Sequence, residues 1–153
     1  MKSFTFKLQS VLDLRARAEE QAKARLAEAE RNVASAREKL AAALGELNAM
    51  QEELAARRTR GMRALEHELF WGAIFRQQDL CAMRRASVDQ ALADAAKRRV
   101  ELMRARMEHE MLWSLKEKQK VEHARLETRA ENALVDDFVN ARHALKFQEV
   151  SIE

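Results

Sequence analysis

The chain of 153 residues contains no proline and only three glycines, where average usage would supply about eight and about eleven. Alanine, leucine, glutamate, lysine and arginine account for 93 residues, a share above the roughly one half that marks a coiled coil or long helix. With 35% charged residues, a formal net charge of +3 and almost nothing to build turns from, α/β and all-β globular classes are excluded and an all-α fold is predicted.

Further limits follow from the same sequence. No run of five like charges occurs, which argues against a dedicated nucleic-acid tail. Cys81 is the sole cysteine, so there is no disulfide framework and a reducing compartment is expected. The longest nearly apolar run, Leu69 to Phe75, has seven residues, far below the ~18 needed to cross a bilayer. Lys7 stands where a secretory signal would hold its apolar stretch, so a soluble cytoplasmic protein is expected.

The first element is a heptad seam. Steps of three and four run without a slip through Leu12, Arg15, Glu19, Ala22, Leu26, Ala29, Val33, Ala36, Leu40, Ala43, Leu47, Met50 and Leu54. This period predicts a left-handed supercoil. One seam row is mostly leucine and valine; the other carries four alanines, whose small methyls let a partner backbone approach closely. Arg15 and Glu19 break the apolar pattern. Burying either one unpaired is costly, so they are expected to pair with each other at i, i+4 or to leave that end loosely packed and frayed.

The seam fails at Arg57 and Gly61, and residues 58–62 are the favoured turn. Gly61 can take positive φ after a helix C-terminus, and the arginines suit the negative end of the helix dipole. Helix one is therefore placed at about 4–57 and helix two at about 63–148, roughly 80 and 130 Å long at ~1.5 Å per residue. A turn near Gly72, which would equalise the arms, is the alternative. In helix two, Val88, Leu92, Ala95 and Leu102 form one stripe, extended through Arg106 and His109 to Trp113. A second set (Leu112, Leu115, Leu126, Ala130, Leu134, Phe138, Ala141, Leu145) is out of phase with it, which predicts a stutter near residues 103–115.

An antiparallel two-helix coiled-coil hairpin with a longer C-terminal helix, one elongated domain over residues 1–153, explains these stripes better than a lone rod. Residues 2–25 carry a net +3, with Lys2 among the basic groups, and residues 121–153 a net −3, with Glu149 and Glu153 among the acidic ones. A hairpin would lay them side by side.

Little of the sequence carries chemistry. Gly-rich phosphate loops, a Ser-His-Asp arrangement and His-Glu-x-x-His spacing are all missing, so no catalytic residue, metal or cofactor is expected and the chain is not read as an enzyme. His67, His109, His123 and His143 lack ligand spacing, and Cys81 reads as a small half-buried hydrophobe. The basic stretch from Arg84 to Arg106 has a net +4 but scatters its charges and interleaves no aromatics for base stacking. It reads as solvated surface or a contact for an acidic protein rather than for nucleic acid. Leu69-Phe70-Trp71-Gly72-Ala73-Ile74-Phe75 is different: its bulky side chains point all round a helix, more than one partner helix can cover. Either they pack near the turn, or Trp71 and Phe75 anchor another protein.

The opening Phe4-x-Phe6-x-Leu8-Gln9-Ser10-Val11-Leu12-Asp13-Leu14-Arg15, followed by Glu19-Glu20-x-Ala22 and Leu26, resembles the start of the flagellar export protein FliJ family. A second match lies in Leu115-Lys116-Glu117-Lys118-Gln119, Glu131 and Val135-Asp136-Asp137-Phe138. There the family tends to carry a leucine-x-glutamate-basic motif and an Asp-Glu pair, from which Asp137 departs. The resemblance implies an antiparallel coiled coil similar to a rotary-ATPase γ stalk, within the flagellar type III export apparatus. Its implied partners are the hexameric export ATPase, the cytoplasmic domain of the export gate and export chaperones, with only peripheral association with the inner-membrane machinery. It places Phe4, Phe6, Leu115, Lys116, Glu117, Gln119, Asp136, Asp137 and Phe138 on the ATPase-facing part. Trp71 and Phe75 as gate or chaperone contacts come from the apolar patch alone. The corresponding stalk of a virulence type III secretion system, and a generic scaffolding or nucleic-acid-binding coiled coil, are the alternatives.

Overall fold

The computed structural model describes the backbone of residues 4–150 and the side chains of residues 4–142. The expectations for Lys2, His143, Leu145, Glu149 and Glu153 therefore lie outside the described residues and side chains. Two helices and no strand are present among the described residues: α1, Gln9–Arg60, of 52 residues, and α2, Ala64–Val150, of 87. The fold is an all-α hairpin with the longer helix second. No described helix is long and apolar enough to cross a membrane.

Helix α1 starts at Gln9 rather than near residue 4, because Phe4 to Phe6 are non-helical and the Gln9 N–H donates to the Phe6 carbonyl at 3.1 Å. It ends on Arg57, Arg58 and Arg60, cations at the negative end of its dipole. Thr59 Oγ1 donates to the Ala56 carbonyl at 2.7 Å. Gly61 then turns the chain at φ 91°, a left-handed conformation in which a Cβ is strained. Arg63 opens α2: its carbonyl accepts from His67 N–H, and its guanidinium donates to Glu66 Oε1 at 2.8 and 3.0 Å. Those hydrogen bonds hold the Glu66 carboxyl below its usual range. Gly72 lies inside α2.

Glycine substitutions separate these roles. Gly61→Ala is expected to lower stability by about 1–2 kcal/mol through its positive φ. Gly45→Ala, inside α1 with open space around it, should instead raise stability by up to about 1 kcal/mol. Thermal unfolding followed by circular dichroism checks both signs.

Contacts divide the chain into two units. One joins residues up to Ala16 with those from Met107 onward; the other is Arg17–Arg106. In the second unit, α1 buries Ala22, Ala29, Val33, Ala43 and Leu54, and α2 buries Ile74, Cys81, Val88, Ala95 and Leu102. Ala29, Val33 and Ala95 form a cluster, with Ala91 packed against it. Pairing is antiparallel: Gln77 Nε2 donates to the Ala43 carbonyl and to Glu46, Arg99 reaches Glu30 at 3.2 Å, and Arg106 reaches Glu19 at 3.4 Å.

The α2 stripe differs from the expected one. Its buried residues recur every seven positions from Ile74, with Phe70, Gln77, Arg84, Ala91, Arg98 and Ala105 half-buried between them. Leu92, Arg106 and Trp113 are exposed; Ala91 and Leu112 hold the places assigned to Leu92 and Trp113. The expected stutter does not occur, since the three-four spacing continues in phase through Arg98, Leu102, Ala105, His109, Leu112 and Lys116. The misreading arose because long polar side chains fill alternate seam positions. Their stems cover apolar surface while their heads stay wet, so hydrophobicity alone points to the wrong face.

The unit containing the start of α1 is thinner. Phe6 and Leu12 are buried there, Phe4 sets its ring edge-on to His123 at 5.7 Å, and Lys116 Nζ donates to Gln9 Oε1 at 2.8 Å. Arg15 pairs with Glu108 at 2.7 Å. In the other unit, Glu19 pairs with both Arg106 and Lys23. The two seam charges are thus accommodated by partners on α2, a solution that the expectation of an Arg15–Glu19 pair or a loose end did not include.

Candidate functional site

Among the described residues, each unit keeps exposed apolar surface after helix pairing. In Arg17–Arg106, the run from Leu69 to Phe75 divides between core and surface. Ile74 is 1% exposed and Phe70 half-buried under the Arg57 guanidinium, 4.9 Å from the ring centroid. Leu69, Trp71 and Phe75 remain exposed. Residues 67, 71 and 75 lie one helical turn apart, and their rings make a continuous row: His67 to Trp71 at 6.1 Å, Trp71 to Phe75 at 5.9 Å. Such tilted and edge contacts stiffen large side chains before any partner arrives, which suits them as anchors.

In the other unit, α2 continues beyond the point where α1 begins. Every residue from 128 to 142 is exposed. Leu112 sits in the α1-facing seam, but the later described leucines and the phenylalanine of the second apolar set do not pack there: Leu126, Leu134 and Phe138 are 54–70% exposed. The reason is one of length: α1 starts at Gln9, and among the described residues ahead of it Phe4 meets α2 at His123. Leu134 and Phe138 stand four apart on one face, with Asp136 and Asp137 exposed beside them.

The remaining residues singled out by the resemblance fall into two groups. Phe6 is buried, Phe4 and Lys116 are half-buried, and all three belong to the packing that holds the start of α1 on α2; Glu117 is half-buried. Leu115 and Gln119 are exposed, as are Asp136, Asp137 and Phe138. By spacing alone Leu126 and Leu134 are ordinary members of the second apolar set. Counting the α2 seam back from Gly61 would have shown that no part of α1 lies opposite them.

Chemically, both surfaces fit binding. The grooves along the helices are shallow and open, and no group of three or more His, Cys, Asp or Glu residues able to hold a metal occurs among the described residues. His123 lies 3.6 Å from Glu127, and Cys81 is fully buried rather than half-buried. Within the basic stretch, Arg98 meets Asp94 and Glu101, Arg99 meets Glu30, and Arg106 meets Glu19.

Searches of the curated proteins and of the solved structures each found no match. The family model described as Flagellar FliJ protein matches residues 4–146. That match spans both helices and nearly the whole chain, so this protein belongs to the FliJ family of flagellar proteins.

Proposed function

We propose that the chain is a stalk-like component of the flagellar type III export apparatus, acting in the cytoplasm. It binds the export ATPase ring and links it to the export gate and to export chaperones. Family membership supports the export role. The observation that carries the ATPase contact is the uncovered end of α2, where Asp136, Asp137 and Phe138 lie exposed beside Leu134.

The mechanism is mechanical rather than covalent. Phe4, Phe6 and Lys116 fix the start of α1 against α2, giving the uncovered segment a firm base. Leu134 and Phe138 then enter an apolar recess on a ring subunit, while Asp136 and Asp137 meet basic groups beside it. A single helix can make such contacts with only some of six subunits at once, and so it biases their conformations unequally. Trp71 and Phe75 supply a separate surface for the gate or for chaperones.

ATP hydrolysis by the cognate export ATPase, with and without the purified chain, tests this reading. Wild type is expected to raise turnover. Phe138→Ala should need about tenfold more protein for the same stimulation, the loss typical of a buried anchor. Trp71→Ala should leave stimulation intact and weaken capture of the gate's cytoplasmic domain or of export chaperones. Unchanged turnover with wild-type chain would overturn the assignment.

A further inference from the structure

Helix α2 has a second patterned face, turned away from α1. In the unit that begins at Met107, the seam toward α1 runs through His109, Leu112 and Lys116. Met107, Ser114 and Val121 recur every seven residues outside that seam, and Met107, Met111 and Val121 are each more than half exposed. Two shallow grooves follow one another along this face. Met107, Glu110, Met111, Ser114, Leu115 and Lys118 line the first, and Val121 and Arg125 belong to the second. A heptad of apolar and small residues on an open helix face is a seam awaiting another helix.

The charges indicate which helix. Glu110 lies four residues before Ser114 and Lys118 four after; Met107 lies seven before and Val121 seven after. Turned end for end about Ser114, the face sets Glu110 against Lys118, Met107 against Val121, Met111 against the stem of Glu117, and the small Ser114 against itself. It is complementary to its own reverse, as a two-fold interface requires. A parallel pair would instead oppose Glu110 to Glu110 and Lys118 to Lys118, like charges that repel. We infer that the outer face of α2 around Ser114 binds a second copy of this chain, antiparallel, in a two-fold symmetric dimer. The paired stretch covers ~22 Å of helix, which puts the dimer in the weak, reversible class of interfaces.

Sedimentation equilibrium of the full-length chain over a concentration series tests the inference. Wild type is expected to show a reversible monomer–dimer equilibrium. Glu110→Lys and Lys118→Glu should each raise the dissociation constant by about tenfold or more, because symmetry repeats each repulsion twice. The double variant should restore dimerisation. Positions 110 and 118 are two turns apart, about 12 Å along one helix, so that rescue cannot come from a pair within one chain. Ser114→Cys should give a disulfide-linked dimer under mild oxidation, while the buried Cys81 stays unreacted. A chain monomeric at every concentration, a dimer indifferent to the single reversals, or a double variant that stays dissociated would each overturn the proposal and leave the face to a different protein. No export component enters the experiment, so its outcome is separate from that of ATPase stimulation.

Discussion

Replacing Ile74 with alanine is expected to destabilise the hairpin by about 3 kcal/mol, within the range of about 2–5 found for large-to-alanine changes in cores. Ile74 is the largest fully buried side chain among the described residues. Its nearest neighbours along the α2 seam, Phe70 and Gln77, are themselves already half-buried, so the gap closes only if one of them is drawn further in. Ile74→Val removes one methylene and should cost about 1 kcal/mol. Urea denaturation measures both, and an unchanged slope would assign the whole effect to stability rather than to the unfolded chain. A loss below about 1 kcal/mol for the alanine variant would mean that the helices close up around the gap.

Enlarging a seam alanine should also destabilise, although it adds apolar surface. Ala29 is 3% exposed and packs with Val33 and Ala95. A leucine there must push the helices apart or adopt a poor rotamer, at a cost of about 1–3 kcal/mol. In an ordinary coiled coil with room at the seam, the same change would be stabilising, so the sign of the effect reports how closely the backbones approach. Ala27→Leu is the control. Ala27 is exposed two residues away on the same helix, and leucine and alanine have similar helix propensities, so its melting temperature should stay near that of wild type.

Helix α1 was readable from the sequence alone because its seam obeys one rule throughout. Leucine, valine, alanine and one methionine fall at every expected position except Arg15 and Glu19, and the glycine that ends the pattern is the one with positive φ. Helix α2 was harder. Val88, Ala95 and Leu102 fall where the sequence places them, but Gln77, Arg84 and Arg98 share their seam, while Leu92, Trp113 and four methionines sit outside it. A polarity pattern cannot reveal that an arginine stem lies along a helix interface. The exposed apolar run around Trp71 was legible as an oddity, and the division between buried Ile74 and exposed Phe75 needed the hairpin register. The exposure of Leu134 and Phe138 needed it too, since a heptad position becomes core only when another helix stands opposite.

The alanine row of α1 has a consequence for alignment. Because Ala22, Ala29, Ala36 and Ala43 recur every seven positions, a one-heptad slide would show α2 nearly the same α1 surface again, and no buried polar residue among those described would object. What forbids the slide is the short link between Arg60 and Ala64, which leaves no slack to feed into the displacement. Gly61 and its two followers thus act as the detent of a slide rule. Lengthening them by a heptad would let the scales move by one full division, and every charged partner would then meet a stranger.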